Sequence, residues 1–125
     1  RLKGTRTAVK KAIMDQRRVA GVGNIYANEA LFDARLNPAK STHKLSLEQF
    51  ARLHAAIIDV LQRALESSGT TLRDYRTGTG EEGRFQFQLR VYGRVGEKCV
   101  NCGRKLVMTH EIDKRQTTFC RRCQK

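Results

Sequence analysis

Tryptophan is absent from this 125-residue chain, and twelve acidic residues stand against twenty-five lysines and arginines. No apolar run approaches the roughly twenty residues needed to cross a bilayer, so no membrane span is expected. A basic helix lying on a membrane surface would set Trp, Phe and Leu opposite a Lys/Arg face. Here Trp is missing and the positive charge runs along the whole chain. No targeting segment is visible. No Ser/His/Asp set or carboxylate pair can be singled out, and His43 and His54 read as surface residues.

What is present in excess is positive charge. The formal net charge is +13 and the sequence pI about 10.3. On a small chain this makes a field that attracts polyanions, which points to nucleic acid as the partner. The length suits one modest domain plus a small accessory unit. Burial is limited at this size, so the accessory unit calls for a staple.

Four cysteines supply it. Cys99-Val-Asn-Cys102 and Cys120-Arg-Arg-Cys123 are two Cys-x-x-Cys pairs separated by seventeen residues. Each pair can wrap one side of a tetrahedral metal, and the interval is long enough for a β-hairpin that brings the pairs together. Four thiolates suit a single structural zinc with no open coordination position. The alternative is two disulfides. Such pairs favour metal over bridges in a reducing compartment. His110, between the pairs, is not needed as a ligand once four sulfurs complete the tetrahedron.

The periodicity predicts a mainly α chain ending in a small β unit. Val9, Ala12 and Ile13 share one face of a helix over about 7–16, with Lys10, Lys11, Arg17 and Arg18 turned to solvent or to a phosphate backbone. Gly21 and Gly23 suggest positive φ and a compact double turn. A second helix is expected over about 24–35, with Ala27, Ala30, Leu31 and Ala34 inward and Asn37-Pro38 as its stop. Ser46-Leu-Glu-Gln49 matches a capping box. Phe50, Leu53, Ile57, Leu61 and Leu65 form the stripe of a third helix, which Gly69 would cap. Residues 70–84, with Gly78, Gly80 and Gly83, read as a mobile loop. Phe85, Phe87, Leu89 and Val91 alternate with polar residues as in a half-buried strand. The arms of the final hairpin are expected at 104–111 and 116–120, with Asp113, Lys114 and Arg115 at its tip.

Two places could hold phosphate. The turn Gly21-Val22-Gly23-Asn24 feeds a helix N-terminus, where unpaired amides and a partial positive charge meet an anion. Asn24 has an ordinary alternative as a helix N-cap. Arg115 sits at the end of a metal-anchored hairpin, and a guanidinium fork matches phosphate oxygens. Its alternative is a solvated tip residue. Arg104, Arg121 and Arg122 could equally offset the charge of the thiolates.

Met14-Asp15-Gln16 followed by Val19-Ala-Gly-Val-Gly-Asn-Ile-Tyr-Ala-Asn-Glu-Ala-Leu31 resembles the helix–two-turns–helix signature of the formamidopyrimidine-DNA glycosylase and endonuclease VIII family. Gly69-Thr-Thr-Leu-Arg-Asp-Tyr75 with Phe85-Gln86, and Arg115-x-x-x-Phe-Cys-x-x-Cys-Gln124, resemble its loop segment and its zinc finger. The Thr-Thr-Leu-Arg-Asp-Tyr stretch favours the formamidopyrimidine branch. The resemblance implies a helix–two-turns–helix domain over 1–88 and a four-cysteine zinc finger over 89–125. It also implies base excision repair of oxidised purines such as 8-oxoguanine and formamidopyrimidines. Asn24 and Arg115 would hold phosphates beside the extruded nucleotide, with Gly21 and Gly23 admitting the backbone, and the loop would close over the flipped base. The partner would be damaged double-stranded DNA, met by a monomer in a bacterial-type cytoplasm at the nucleoid.

The chain also departs from the pattern. Family enzymes attack the sugar with an N-terminal proline amine and use the adjacent glutamate as acid. This sequence begins Arg1-Leu2-Lys3-Gly4, and its one proline is Pro38. The interval between the cysteine pairs is one residue longer than the family's. The chain therefore reads as the DNA-binding portion of such a glycosylase and is expected to be inactive alone. Two alternatives are a stand-alone zinc-containing DNA- or RNA-binding module and a zinc-dependent protein-interaction module.

Overall fold

Among the described residues three α-helices, α1 (Val9–Met14), α2 (Asn24–Asp33) and α3 (Leu47–Ser68), and a 3-10 turn at Thr42–Lys44 precede a hairpin of two three-residue strands, β1 (Val107–Thr109) and β2 (Thr117–Phe119). The computed structural model describes residues 7–15, 23–68 and 89–125. Gly21, Arg17, Arg18, Gly69, the expected loop at 70–84 and residues 85–88 of the alternating segment lie outside the described residues. The expected mainly α architecture with a small β unit is observed, and β1 and β2 pair antiparallel with Val107 opposite Phe119.

The capping box forms as expected. Ser46 N donates to Gln49 Oε1 at 2.9 Å, and Gln49 N donates to Ser46 Oγ at 3.1 Å. Such a cap stabilises a helix start by about 1 kcal/mol. The buried line of α3 runs through Leu53, Ala56, Val60 and Ala64, with Phe50, Ile57 and Leu61 partly buried beside it. The expected stripe is thus rotated toward its small residues. Alanines on both α2 and α3 let the two helices approach closely, and the larger side chains fill the margins.

Helix α2 is buried almost all round, from Tyr26 through Phe32. A helix without a polar face belongs inside, and α2 separates two cores. Ala27, Ala30 and Leu31 pack with Val9, Ile13, Leu53 and Val60, whereas Phe32 joins Val91, Cys99, Leu106 and Cys120 under the hairpin. The helix stops earlier than Asn37-Pro38. Arg35 takes a left-handed φ of 61°. Leu36 N donates to Leu31 O at 3.0 Å and Arg35 N to Phe32 O at 3.1 Å. These two bonds are the Schellman pattern, completed by the apolar contact partners Leu31 and Leu36 in one core.

Two further expectations are corrected. Leu89 and Val91 are buried, but residues 89–92 form no strand. Their backbone donors go instead to one carboxylate: Glu29 Oε1 accepts from Arg90 N at 2.8 Å, and Oε2 accepts from Val91 N and Tyr92 N at 2.9 Å each. Lys10, expected to face solvent or phosphate, is 0% exposed. Its stem is covered where α1 meets the hairpin loop, and its ammonium finds partners there.

Candidate nucleic-acid interface and metal centre

The four cysteines of the two pairs converge, with all Sγ atoms within 4.8 Å of one another. Cys99 and Cys123 Sγ are 3.8 Å apart, and Cys102 and Cys120 Sγ 3.5 Å. A tetrahedron with Zn–S bonds of about 2.3 Å requires S···S separations of roughly 3.8 Å. The donor set therefore fits one zinc ion and leaves no position open for substrate. Local backbone supports it: Asn101 N donates to Cys99 Sγ and Cys123 N to Cys120 Sγ, both at 3.4 Å.

Three of the thiols, taken without a metal, are shifted in opposite directions. A hydrogen bond from the Arg104 backbone brings Cys102 down to about 7, while burial pushes Cys123 up to about 12 and Cys120 upward as well. Four negative charges in so small a space need a divalent cation to compensate them. His110 is exposed and outside this cluster. Arg104, Arg121 and Arg122 are exposed around it.

The hairpin is docked on α2 by directional bonds. Gln124 Oε1 accepts from Cys120 N at 2.9 Å, and its Nε2 donates to Leu36 O at 3.0 Å. Asn28 Oδ1 accepts from Thr118 N at 2.6 Å, and Asn28 Nδ2 donates to Asn24 O at 2.8 Å. Asn24 Nδ2 donates to Gln116 O at 3.1 Å. That acceptor decides which way the Asn24 amide faces. Asn24 Oδ1 is buried without a partner among the described residues.

Asn24 is thus the first residue of α2, not its N-cap, which is Gly23 without a side-chain cap bond. Gly23 does not adopt the positive φ expected of it. Its φ of −85° and ψ of 172° are open to any residue, and an added Cβ would meet only Tyr26 Cδ2 at an ordinary 3.9 Å. Nothing among the described residues demands glycine at this exposed position. Gly21 lies outside the described residues.

Arg115 is exposed at the hairpin loop, one residue before the Gln116 carbonyl that holds Asn24. The two candidates therefore share one joint. Arg115 also lines a cleft of about 440 Å³ together with Lys11, Met14 and Asp15 of the α1 end.

Known proteins share both halves of this arrangement. The model of the formamidopyrimidine-DNA glycosylase H2TH domain matches residues 1–76, and that of the zinc finger found in FPG and IleRS matches residues 96–125. The chain belongs to the formamidopyrimidine-DNA glycosylase family. It is 50% identical over 125 residues to the formamidopyrimidine-DNA glycosylase of Thermomicrobium roseum, covering 99% of this chain and 43% of that protein. It is 46% identical to the enzyme of Syntrophotalea carbinolica, covering 100% and 46%. MutM in complex with carbocyclic 8-oxo-G containing DNA superposes with a TM-score of 0.84 at 35% identity, over 99% of this chain and 43% of that one. Lactococcus lactis Fpg in complex with abasic-site DNA gives 0.84 at 35%, over 99% and 44%. The chain spans less than half the length of these relatives. Among the described residues no helix is long and apolar enough to cross a membrane.

The sequence pattern did not assign Lys10, Asn28 and Glu29 the partners that they have in the fold. Asn28 carried a usable signal, since it stands one helical turn from Asn24 on a mostly apolar helix. Glu29 carried one too, as a carboxylate on a helix too apolar to be solvated. Lys10 carried none, because a lysine beside a buried stripe ordinarily reaches water.

Proposed function

We propose that this chain is the DNA-binding portion of a glycosylase that removes oxidised purines from duplex DNA, acting as a monomer in a bacterial cytoplasm. In this reading residues 1–88 carry the helical domain and 89–125 the finger. Base removal belongs to the remainder of such a protein, and these 125 residues by themselves bind without cleaving. The observation that carries the reading is the joint between Asn24 and the Arg115–Gln116 peptide. It ties the loop that carries the exposed Arg115 to the first residue of α2, on a chain of net charge +13. Amides of a helix start and an arginine fork are both phosphate receptors. Solved relatives in complex with carbocyclic 8-oxo-G, abasic-site and FAPY-dG containing DNA support the substrate class.

Phosphate contacts position a duplex without reading its sequence. Arg115→Ala should weaken binding about equally across sequences and lower the salt slope by roughly one counterion. Asn24→Ala should weaken binding with little change of slope, because the side chain is neutral. It should also cost about 1 kcal/mol of stability through the lost bond to Gln116. Duplex titrations at several salt concentrations, with thermal unfolding as control, make the test. An Arg115→Ala variant that keeps its fold and zinc and binds with unchanged affinity and slope would refute the reading. Borohydride trapping on abasic-site DNA above that of a generic basic protein would refute the division between binding and chemistry.

A further inference from the structure

Arg115 is held by its backbone from both sides, and both holds lead to one buried ammonium. The Arg115 N–H donates to Asp113 Oδ1 at 3.1 Å, and the Arg115 carbonyl accepts from Thr117 Oγ1 at 3.4 Å. Those same two oxygens accept from Lys10 Nζ, at 3.0 Å and 2.8 Å. A hydroxyl can accept from an ammonium and still donate its own proton, so the two roles of Thr117 are compatible. The next carbonyl, Gln116 O, accepts from Asn24 and, at 3.5 Å, from Asn28. The stretch 115–117 is therefore fastened by side chains of α1 and α2, which lie about a hundred residues earlier in the chain.

Lys10 is a costly way to make this joint. Its side chain is 0% exposed and that of Asp113 8%. Stripping two charges of water offsets most of their attraction, and buried ion pairs can often be replaced by apolar residues without loss of stability. An apolar contact would hold the loop without fixing its orientation. An ammonium, by contrast, gathers two oxygens in a defined geometry, and here those oxygens are the ones that clamp Arg115. Being fully covered, Lys10 cannot touch a duplex itself.

We infer that Lys10 is a positioning residue for Arg115: its ammonium binds Asp113 and Thr117 and thereby sets the direction in which Arg115 leaves the hairpin loop. This rests on the reading of Arg115 as a phosphate contact.

The test uses the full zinc-loaded chain and a duplex oligonucleotide. Lys10→Met keeps the length and apolar stem and removes the charge. The variant should retain its zinc, lose a large part of the affinity that Arg115→Ala loses, and lower the salt slope although the lysine is buried. In the Arg115→Ala background, Lys10→Met should cause no further loss. Without DNA, amide hydrogen exchange at Arg115 and Thr117 should be faster in Lys10→Met than in the parent. Thr117→Val, which removes only the hydroxyl, should move affinity and exchange in the same direction. It also carries the same criteria if Lys10→Met does not fold. Equal losses from Lys10→Met with and without Arg115 would overturn the inference, because Lys10 would then act independently. So would parent-like binding by Lys10→Met while Arg115→Ala binds weakly. If Arg115→Ala itself binds like the parent, it is the phosphate reading that fails. The exchange measurement then still decides whether Lys10 grips the loop: unchanged protection in the variants overturns that grip.

Discussion

The helical part and the finger are held together by different physics. Around α2 and α3 the cohesion is apolar and spread over many side chains: Val9, Ile13, Leu31, Leu36, Leu53 and Val60 are all essentially inaccessible to water. The finger has strands of only three residues and a core in which two of the five buried members are cysteines, with Phe32 lent by α2. What it lacks in apolar area it makes up in a metal site and in bonds from Lys10, Asn24, Asn28 and Gln124. Burial tolerates local loss, because it is distributed and non-directional. Metal coordination and directional bonds do not, because each fixes one atom. The region that aims Arg115 is the one with the least redundancy.

Removing the metal should separate the two regions most strongly. Chelation, or Cys120→Ser, should unfold residues 96–125 while α3 and its packing against α2 persist. The helical far-UV signal should survive while hairpin amides lose exchange protection and duplex affinity falls steeply. Simultaneous loss of α3 would mean that the two regions are one cooperative unit.

Next is Glu29→Gln. The carboxylate accepts three backbone N–H groups, and an amide brings one oxygen and two hydrogens that oppose the donors. Hydrogen bonds to a charged acceptor contribute about 1.5–3 kcal/mol each, so a loss on the order of 3 kcal/mol is expected by urea unfolding. The finger should be destabilised more than α3.

A gain is expected from Arg35→Gly. The left-handed φ of 61° at the Schellman position costs a residue with a Cβ about 1 kcal/mol. Glycine should recover several tenths of that in thermal unfolding, and duplex binding should not change.

The smallest effect concerns pH. Burial holds Lys10 below its ordinary 10.5 against the raising influence of Asp113, and nearby Arg115 pushes it the same way as burial. Between that lowered value and 10.5 the unfolded chain binds more protons than the native one, so this group makes stability rise with pH in that window and leaves it flat below. The difference in unfolding free energy between the parent and Lys10→Met, both zinc-saturated, should therefore move in favour of the parent as pH approaches 10.5. A difference that does not vary with pH would mean that the ammonium is not desolvated as its burial indicates.

Spacing and periodicity determined a good deal here. The cysteine intervals specified the ligand set because two Cys-x-x-Cys turns can close on one metal wherever the chain between them runs. Ser46 and Gln49 capped α3 because both partners lie within one turn. The excess of lysine and arginine pointed to a polyanion with no structure at all. Tertiary packing decided the rest. Whether Lys10 meets water or Asp113, whether residues 89–92 pair as a strand or bind Glu29, and whether Asn24 caps its own helix or holds Gln116 each depend on partners 61 to 107 residues away. A local pattern reports the face a residue occupies. Only the packed chain supplies what that face meets, because a buried polar group takes its partner from whichever element covers it.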